Sequence, residues 1–143
     1  MENRREVSVL IPYNITNGNF SVYLQKRNKN AKVLPSHFSF FGGKIEEGES
    51  ANQALEREIT EELCFTPTRY AFLGKYSFTE WLANIYFLKV NDNFEQSITV
   101  MEGDYGKFFS EDEVENEPMI LEEDKKILKD LYQLLRKKHN EKI

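Results

Sequence analysis

Three glutamates, Glu58, Glu61 and Glu62, lie within five consecutive residues near the middle of this chain of 143 residues. On a helix of about 3.6 residues per turn they fall within an arc of roughly 100°, on one side of the helix. Like charges at this spacing oppose the helix by roughly 0.2–0.5 kcal/mol when exposed, and by more when partly buried. The neighbouring Arg57 can neutralise only one of them. A solvated acidic helix face is the alternative, but the pattern favours a site for a hard divalent cation, Mg²⁺ or Mn²⁺, and chemistry on phosphate groups.

The segment that carries these glutamates is predicted as a helix over Ser50–Cys64. Ser50 with Gln53 three residues later matches a capping box at its start, and Pro67 prevents its continuation. An apolar stripe with a four-residue spacing predicts the buried side of the helix, formed by Ala51, Leu55, Ile59 and Leu63. On the helical wheel Glu62 lies beside this stripe, so the carboxylates are expected to point along the edge of the core.

The rest of the chain is predicted to form strands and one more helix. The strands are Val7–Pro12, Phe20–Lys26, His37–Phe41, Arg69–Phe78 and Ala83–Val90, with brief ones at Ile98–Met101 and Lys107–Phe109. Gly42-Gly43 is interpreted as a point where the backbone can approach a ligand and expose a carbonyl oxygen, with a plain tight turn as the compatible alternative. Asn91–Ser97 is predicted as a loop and Glu122–His139 as the last helix. This order favours an α/β fold, a mixed sheet with helices packed on it.

Bulk composition excludes several classes of protein. We expect residues 1–143 to form a single domain, because the chain has the length of one core and no linker or repeat. The net charge of −5 argues against a partner that is a nucleic-acid polymer. A single cysteine, the absence of a signal peptide and the absence of a membrane-spanning run favour a cytoplasmic protein without membrane contact. A monomer and a homodimer are both compatible with the sequence.

The pattern Gly43-x5-Glu49-x7-Arg57-Glu58-Ile59-x-Glu61-Glu62-x-Cys64-Phe65 resembles the Nudix box over residues 43–65. The resemblance implies an α/β/α sandwich that hydrolyses a nucleoside diphosphate linked to another group. One fixed position differs, since Cys64 stands where the box has its last glycine. Glycine commonly ends a helix in the left-handed conformation, so we expect a changed helix terminus at Cys64 without lost chemistry.

The resemblance also implies roles for individual residues. The glutamates that would bind Mg²⁺ are Glu58, Glu61 and Glu62, with the carbonyl of Gly42 as a further ligand. Arg57 and Glu49 would pair and orient the helix carboxylates. A metal-activated water would attack a phosphorus atom, and a glutamate would accept its proton.

Glu102 is a second candidate for the general base or a metal ligand. The segment from Met101 to Ser110 resembles the E-G-x-x-G-x-aromatic-x-S segment of MutT-type enzymes. A solvated acid in a turn is the alternative interpretation of Glu102, and a glutamate of the box is the alternative base.

Residues outside the box suggest a nucleotide substrate. Asn116-Glu117-Pro118 resembles the segment in which MutT-type enzymes read an oxidised guanine, and an asparagine can both donate to and accept from a purine edge. By the same resemblance, Phe40 and Phe78 would sandwich the base and Arg27 would contact a phosphate. Trp81 stands where the MutT branch has an arginine, so stacking on Trp81 could favour another base. A helix cap for Asn116 and core packing for the two phenylalanines are the alternatives.

These residues together favour Mg²⁺-dependent hydrolysis of a nucleoside triphosphate to monophosphate and pyrophosphate, with an oxidised, 8-oxo-dGTP-like nucleotide as one candidate. The alternatives are a hydrolase of another nucleoside diphosphate derivative, such as a nucleotide sugar or dinucleoside polyphosphate, and a nucleotide sensor without turnover. An isoprenoid isomerase on the same fold would need a cysteine outside the box, where the chain has none.

Overall fold

The structure is a computed structural model that describes residues 4–141. Its strands are β1 (Arg5–Thr16), β2 (Asn19–Lys26), β3 (Phe38–Ser39), β4 (Phe41–Lys44), β5 (Ala71–Ser77), β6 (Trp81–Lys89) and β7 (Tyr105–Ser110). Its helices are α1 (Ala51–Leu63), α2 (Phe94–Ser97), α3 (Glu111–Asn116) and α4 (Glu122–Glu141).

Strand β1 lies at the centre of the sheet. It pairs in parallel with β6 and antiparallel with β2 and β4, which makes the sheet mixed. The strand order is β3-β2-β1-β6-β5, with β4 paired to β1 and β7 paired to β2. A parallel pair needs a long crossover connection, and the segment between β1 and β6 supplies one that carries α1. The helix with the three glutamates therefore packs directly against the middle of the sheet.

Side chains alternate between the two faces of β1, and each face has its own helix. Val7 and Ile11 belong to the core under α4, together with Ile85, Phe87, Ile127, Leu128 and Leu131. Leu10 belongs to the core under α1, together with Phe41, Leu55, Ile59, Leu63 and Tyr86. This arrangement confirms the predicted α/β/α sandwich with a mixed sheet between helices.

The segment Ile98–Met101, predicted as a brief strand, has no place in the sheet. Instead, the backbone N–H groups of Thr99 and Met101 donate to the carbonyls of Leu63 and Glu62, at 3.0 and 2.9 Å. These bonds satisfy free carbonyls in the last turn of α1. The strand prediction is wrong because the helix end offers acceptors that a sequence pattern does not show.

Two short helices also differ from the sequence predictions. The predicted loop Asn91–Ser97 contains α2, where Phe94 is buried in the core under α1. Helix α3 was not predicted, although Ser110 and Glu113 form a capping box at its start. Both helices are shorter than two turns, so they lack the long apolar repeat by which helices are recognised.

Among the helices of residues 4–141, none combines the length and apolarity needed to cross a membrane.

Helix α1 ends at Cys64 in the left-handed conformation, with φ of 54° and ψ of 39°. The Cys64 N–H donates to the carbonyl of Thr60 at 3.0 Å. The expected change of the helix terminus is therefore wrong. The exposed cysteine keeps the geometry that a glycine would adopt there, because this hydrogen bond closes the helix and the side chain meets no obstacle in solvent.

Replacing Cys64 by glycine is expected to raise the free energy of unfolding by about 0.5–1 kcal/mol. Glycine avoids the left-handed penalty of a side chain but loses more chain entropy on folding, so the net gain is small. Urea titration of both proteins measures it. The matched control is Cys64→Ala, which keeps a Cβ and should show no gain. Equal stabilisation by alanine and glycine would contradict this account.

Candidate active site

Helix α1 is fixed to the sheet at its first turn. The Ser50 hydroxyl accepts from the N–H of Gln53, and the Gln53 side chain accepts from the N–H of Ser50, which confirms the predicted capping box. The hydroxyl of Ser8 on β1 donates to the carbonyl of Ala51 at 2.8 Å. These bonds set the rotation of the helix, so that the carboxylates of Glu58 and Glu62 reach β4.

Arg57 is the centre of a network of carboxylates. Its Nε and Nη2 donate to the two oxygens of Glu49 at 2.7 and 2.9 Å. Nη1 donates to Glu58 at 2.9 Å and lies 3.5 Å from Glu61, and Nη2 also donates to the Lys44 carbonyl. The hydrogen bonds from Arg57 hold the pKa of Glu49 well below its usual range, to about 2. The network joins the loop before α1 to the helix and restrains the side chain of Glu58.

Glu62 is the most enclosed of the three helix glutamates. Its side chain points into the molecule, and the residue is 4% exposed. The backbone N–H of Gly42 donates to its carboxylate at 2.8 Å. Burial raises the pKa of Glu62 to about 8, the Gly42 N–H opposes this shift, and the nearby carboxylates of Glu102 and Glu58 add to it. Negative charge is thus concentrated around a buried group.

The Gly42-Gly43 pair lies inside β4, paired with Val9 and Ser8 of β1. The interpretation of these glycines as a tight turn is wrong, because the strand continues through them to Lys44. A Cβ on Gly43 would lie 2.5 Å from the carboxyl carbon of Glu58. Glycine at this position therefore leaves the space in which the Glu58 carboxylate lies against the strand.

The structure also brings Glu102 to the helix glutamates. Its carboxylate lies close enough to that of Glu62 for their like charges to raise the pKa of Glu62. The position of Glu102 follows from the bond between the Met101 N–H and the Glu62 carbonyl, at 2.9 Å. Glu61, in contrast, is mostly in solvent, with its side chain 59% exposed.

The carboxylates suit a hard divalent cation by their chemistry, since all of them offer oxygen ligands. Within residues 4–141, however, no three acidic, histidine or cysteine side chains already converge closely enough to hold a metal ion. Glu58 and Glu61 form ion pairs with Arg57, whose positive charge stabilises them without a metal ion. A cation at Glu58, Glu62 and Glu102 would relieve the repulsion around the buried carboxylate and would compete with Arg57 for Glu58.

A cavity of about 590 Å³ lies on the other face of the sheet, between β1, β6 and the start of α4. Four residues predicted to bind substrate line it, Arg27, Phe40, Phe78 and Trp81. Its wall also includes Gly42 and Gly43, so the cavity reaches the point where Glu58 and Glu62 contact β4. The Arg27 Nε donates to the carbonyl of Val33 at 2.7 Å, which holds this side chain at the cavity edge.

Asn116 lies apart from these residues. It is the last residue of α3, and its side-chain amide donates to the carbonyl of Asp112 at 3.0 Å. It does not line the cavity. Sequence reasoning missed several polar lining residues, among them Arg5, Ser39 and Asp124. The one available signal was the acidic first turn of α4, which is equally typical of an ordinary helix start.

A family model for the NUDIX domain matches residues 2–131 of the chain. The chain belongs to the Nudix family. The 8-oxo-dGTP diphosphatase of Escherichia coli (strain K12) is 32% identical over 98 residues, which are 67% of this Nudix chain and 74% of that protein. The family match confirms the resemblance seen in the box, and with this relative it identifies the protein as a Nudix pyrophosphohydrolase.

Solved structures of other proteins share the fold. A mutT/nudix family protein from Listeria innocua has a TM-score of 0.76 at 18% identity, over 97% of this chain and 98% of the other. A C. elegans Ap4A hydrolase binary complex has a TM-score of 0.68 at 17% identity, over 92% of this chain and 97% of the other. At such identities the likeness concerns the fold alone.

Proposed function

We propose that this Nudix protein hydrolyses a nucleoside triphosphate, such as an 8-oxo-dGTP-like nucleotide, to monophosphate and pyrophosphate with Mg²⁺. The observation that carries the proposal is the meeting of two features at β4. The aromatic cavity opens at Gly42 and Gly43, and the carboxylates of Glu58 and Glu62 contact the same two residues. A base held in the cavity would extend its phosphates toward the carboxylates. The E. coli relative, an 8-oxo-dGTP diphosphatase, supports this choice of substrate.

The residues of the chain have separate tasks in this proposal. Glu58, Glu61, Glu62 and Glu102, with the Gly42 carbonyl, are the oxygen ligands. Bound Mg²⁺ polarises phosphoryl oxygens and lowers the pKa of water. Arg57, held by Glu49, positions Glu58. The proton of the attacking water passes to Glu102 or to a glutamate of the box, and both remain candidates.

The substrate residues are proposed on the same basis. Phe40, Phe78 and Trp81 supply aromatic surface for a base, and Arg27 lies at the edge where a phosphate would leave the cavity. Asn116 lies outside the cavity, and its amide would have to leave the hydrogen bond to the Asp112 carbonyl before it contacted a base.

A larger substrate is the second candidate. A separate polar cavity of about 290 Å³ lies beside Glu102 and shares Arg27 with the aromatic cavity. Asn28 and Asn30 also line it. A group attached beyond the phosphates, as in a dinucleoside polyphosphate or a nucleotide sugar, would have a polar surface to bind there.

A substrate panel tests the proposal. Normal and 8-oxo nucleoside triphosphates, ADP-ribose, a nucleotide sugar and a dinucleoside tetraphosphate are incubated with Mg²⁺, and pyrophosphate and phosphate are measured. We expect pyrophosphate from triphosphates and no turnover with EDTA. Turnover of a diphosphate-linked compound without any on triphosphates would overturn the substrate assignment and favour the second candidate.

A further inference from the structure

Asp124 is an acid with no partner in the wall of the aromatic cavity. It lies in the first turn of α4, but its side chain lines the cavity, whereas that of Glu122 is 87% exposed. Among residues 4–141 the structure gives its carboxyl no hydrogen-bond donor and no ion pair. Burial raises the pKa of Asp124 to about 7, and the neighbouring charge of Glu123 adds to the shift. An acid in this position weakens the fold unless a ligand supplies donors.

A second polar group on the same wall also lacks a partner. The Ser39 hydroxyl oxygen is buried and is the one buried side-chain polar atom without a hydrogen-bond partner in the described part of the chain. Ser39 lines the same cavity as Asp124. Buried polar groups are nearly always hydrogen-bonded in folded proteins, so the unsatisfied Ser39 hydroxyl, on the same wall as the Asp124 carboxyl that opens into the cavity, indicates a bound polar molecule.

The remaining surface of the cavity fits the faces of a flat ring. Phe40, Phe78 and Trp81 are half-buried and belong to the core under α4. The guanidinium of Arg5 lies 5.7 Å from the centre of the Trp81 ring and holds that ring at the cavity wall. Aromatic and apolar walls with a few polar groups are typical of sites for nucleobases and other flat ligands.

The two oxygens of a carboxylate can accept two adjacent N–H donors. The Watson–Crick edge of guanine offers this pair, at N1 and at the 2-amino group. Hypoxanthine keeps only the N1 donor, and adenine offers an acceptor at N1, which faces a carboxylate unfavourably. We propose that Asp124 selects a guanine-type base by accepting from N1 and the 2-amino group, with the Ser39 hydroxyl as a further contact. This assignment deepens the proposed function and rests on it for the triphosphate substrate.

An ordinary role for Asp124 in the helix start does not account for its position. An acid in the first turn stabilises a helix by about 0.3–1 kcal/mol through the dipole. Glu122 can supply that interaction from solvent without the cost of burial. Glu123 and Asp124 of this turn both line the cavity, and burial raises the pKa of Asp124, which makes an ordinary helix-start role costly for it.

The test compares the wild type with Asp124→Asn on dGTP, dITP and dATP. Asparagine keeps the shape but replaces one acceptor by a donor. We expect the wild type to prefer dGTP to dITP by about tenfold in kcat/KM, because dITP loses one charged hydrogen bond. In Asp124→Asn, kcat/KM for dGTP should fall by about 10- to 100-fold, mainly through KM, with little change for dATP. Glu122→Gln, the same charge change on the exposed side of the turn, should leave the ranking unchanged.

Binding without turnover separates this inference from the proposed function. Titration of GMP, IMP and AMP into the protein in EDTA measures how tightly each base is bound in the absence of hydrolysis. Tighter binding of GMP by the wild type, lost in Asp124→Asn, supports the assignment even if no triphosphate is hydrolysed. Equal binding of GMP and IMP by the wild type, or an unchanged preference in the variant, would overturn it. Thermal unfolding serves as the structural readout, since Asp124→Asn should unfold no earlier than the wild type, whereas a purely structural role predicts earlier unfolding.

Discussion

Glu62→Gln is expected to lower kcat by at least about 100-fold while the fold is kept, since even residues around a metal ligand change activity by roughly 10- to 100-fold. Glutamine retains an oxygen that can accept the Gly42 N–H, so the 2.8 Å contact between helix and strand can persist. It replaces a buried carboxyl, whose charged form burial disfavours as the raised pKa of Glu62 shows, by a neutral side chain of the same shape. The unfolding temperature without metal should therefore not fall, whereas the rise in that temperature on adding Mg²⁺ should shrink.

The control for this variant is Glu56→Gln, on the same helix. Glu56 accepts from the Tyr70 hydroxyl at 2.6 Å, away from the carboxylates beside β4. The Glu56→Gln variant has the same change of charge as Glu62→Gln and should keep wild-type turnover. If Glu62→Gln retains near wild-type rates at saturating Mg²⁺, the metal assignment is wrong. Glu102→Gln in the same assay distinguishes the two candidate bases, because a modest effect would favour a glutamate of the box.

Gly42→Ala is expected to lower the free energy of unfolding by about 3 kcal/mol or more, through backbone strain and overpacking together. Gly42 has a φ of +143°, and a Cβ built there would lie 2.1 Å from the carbonyl oxygen of Ser8 and 2.7 Å from the Cα of Val9. These are backbone atoms of β1, which is held on both sides by pairing with β4 and β6. They cannot move without disrupting the centre of the sheet. Urea titration and the yield of folded protein measure the loss, which is a large part of the roughly 5–15 kcal/mol of a typical domain.

Gly48→Ala separates the two causes of this loss. Gly48 has a φ of +86°, but a Cβ there meets nothing within 4 Å. Its substitution therefore tests the backbone conformation alone, with an expected loss of about 1 kcal/mol. Losses of equal size at Gly42 and Gly48 would show that contact with β1 is not the dominant cause.

The helix of the box could be predicted from sequence because its signals are local. The capping box of Ser50 and Gln53, and the four-residue stripe, depend only on residues within the helix, and α1 begins and ends where they indicate. The pairing of Arg57 with Glu49 was implied by the resemblance to the Nudix box, and it joins the residue before the helix cap to a residue inside α1. The assignment of roles to these residues stays a prediction.

The surroundings of the helix could not be predicted because they depend on contacts between distant segments. The resemblance singled out Glu102, but no spacing rule shows that its loop packs on the end of α1, where the Met101 N–H donates to the Glu62 carbonyl. Asp124 has the sequence signature of an ordinary helix start, and only the packing of α4 over β1 and β6 shows that its side chain faces a cavity. The glycines of β4 resemble a turn in sequence, yet they continue a strand because their missing side chains admit β1 and Glu58.

The separation of the two helices by one sheet has a consequence for how such a chain can change over generations. Helix α1 and helix α4 bury their side chains in different cores, on opposite faces of β1. The cavity on one face and the carboxylates on the other both contact Gly42 and Gly43, which have no side chains. Mutations in α4 can thus accumulate and reshape the cavity without moving the carboxylates of α1. A lineage with this architecture can acquire new substrates while it inherits the same hydrolytic machinery unchanged.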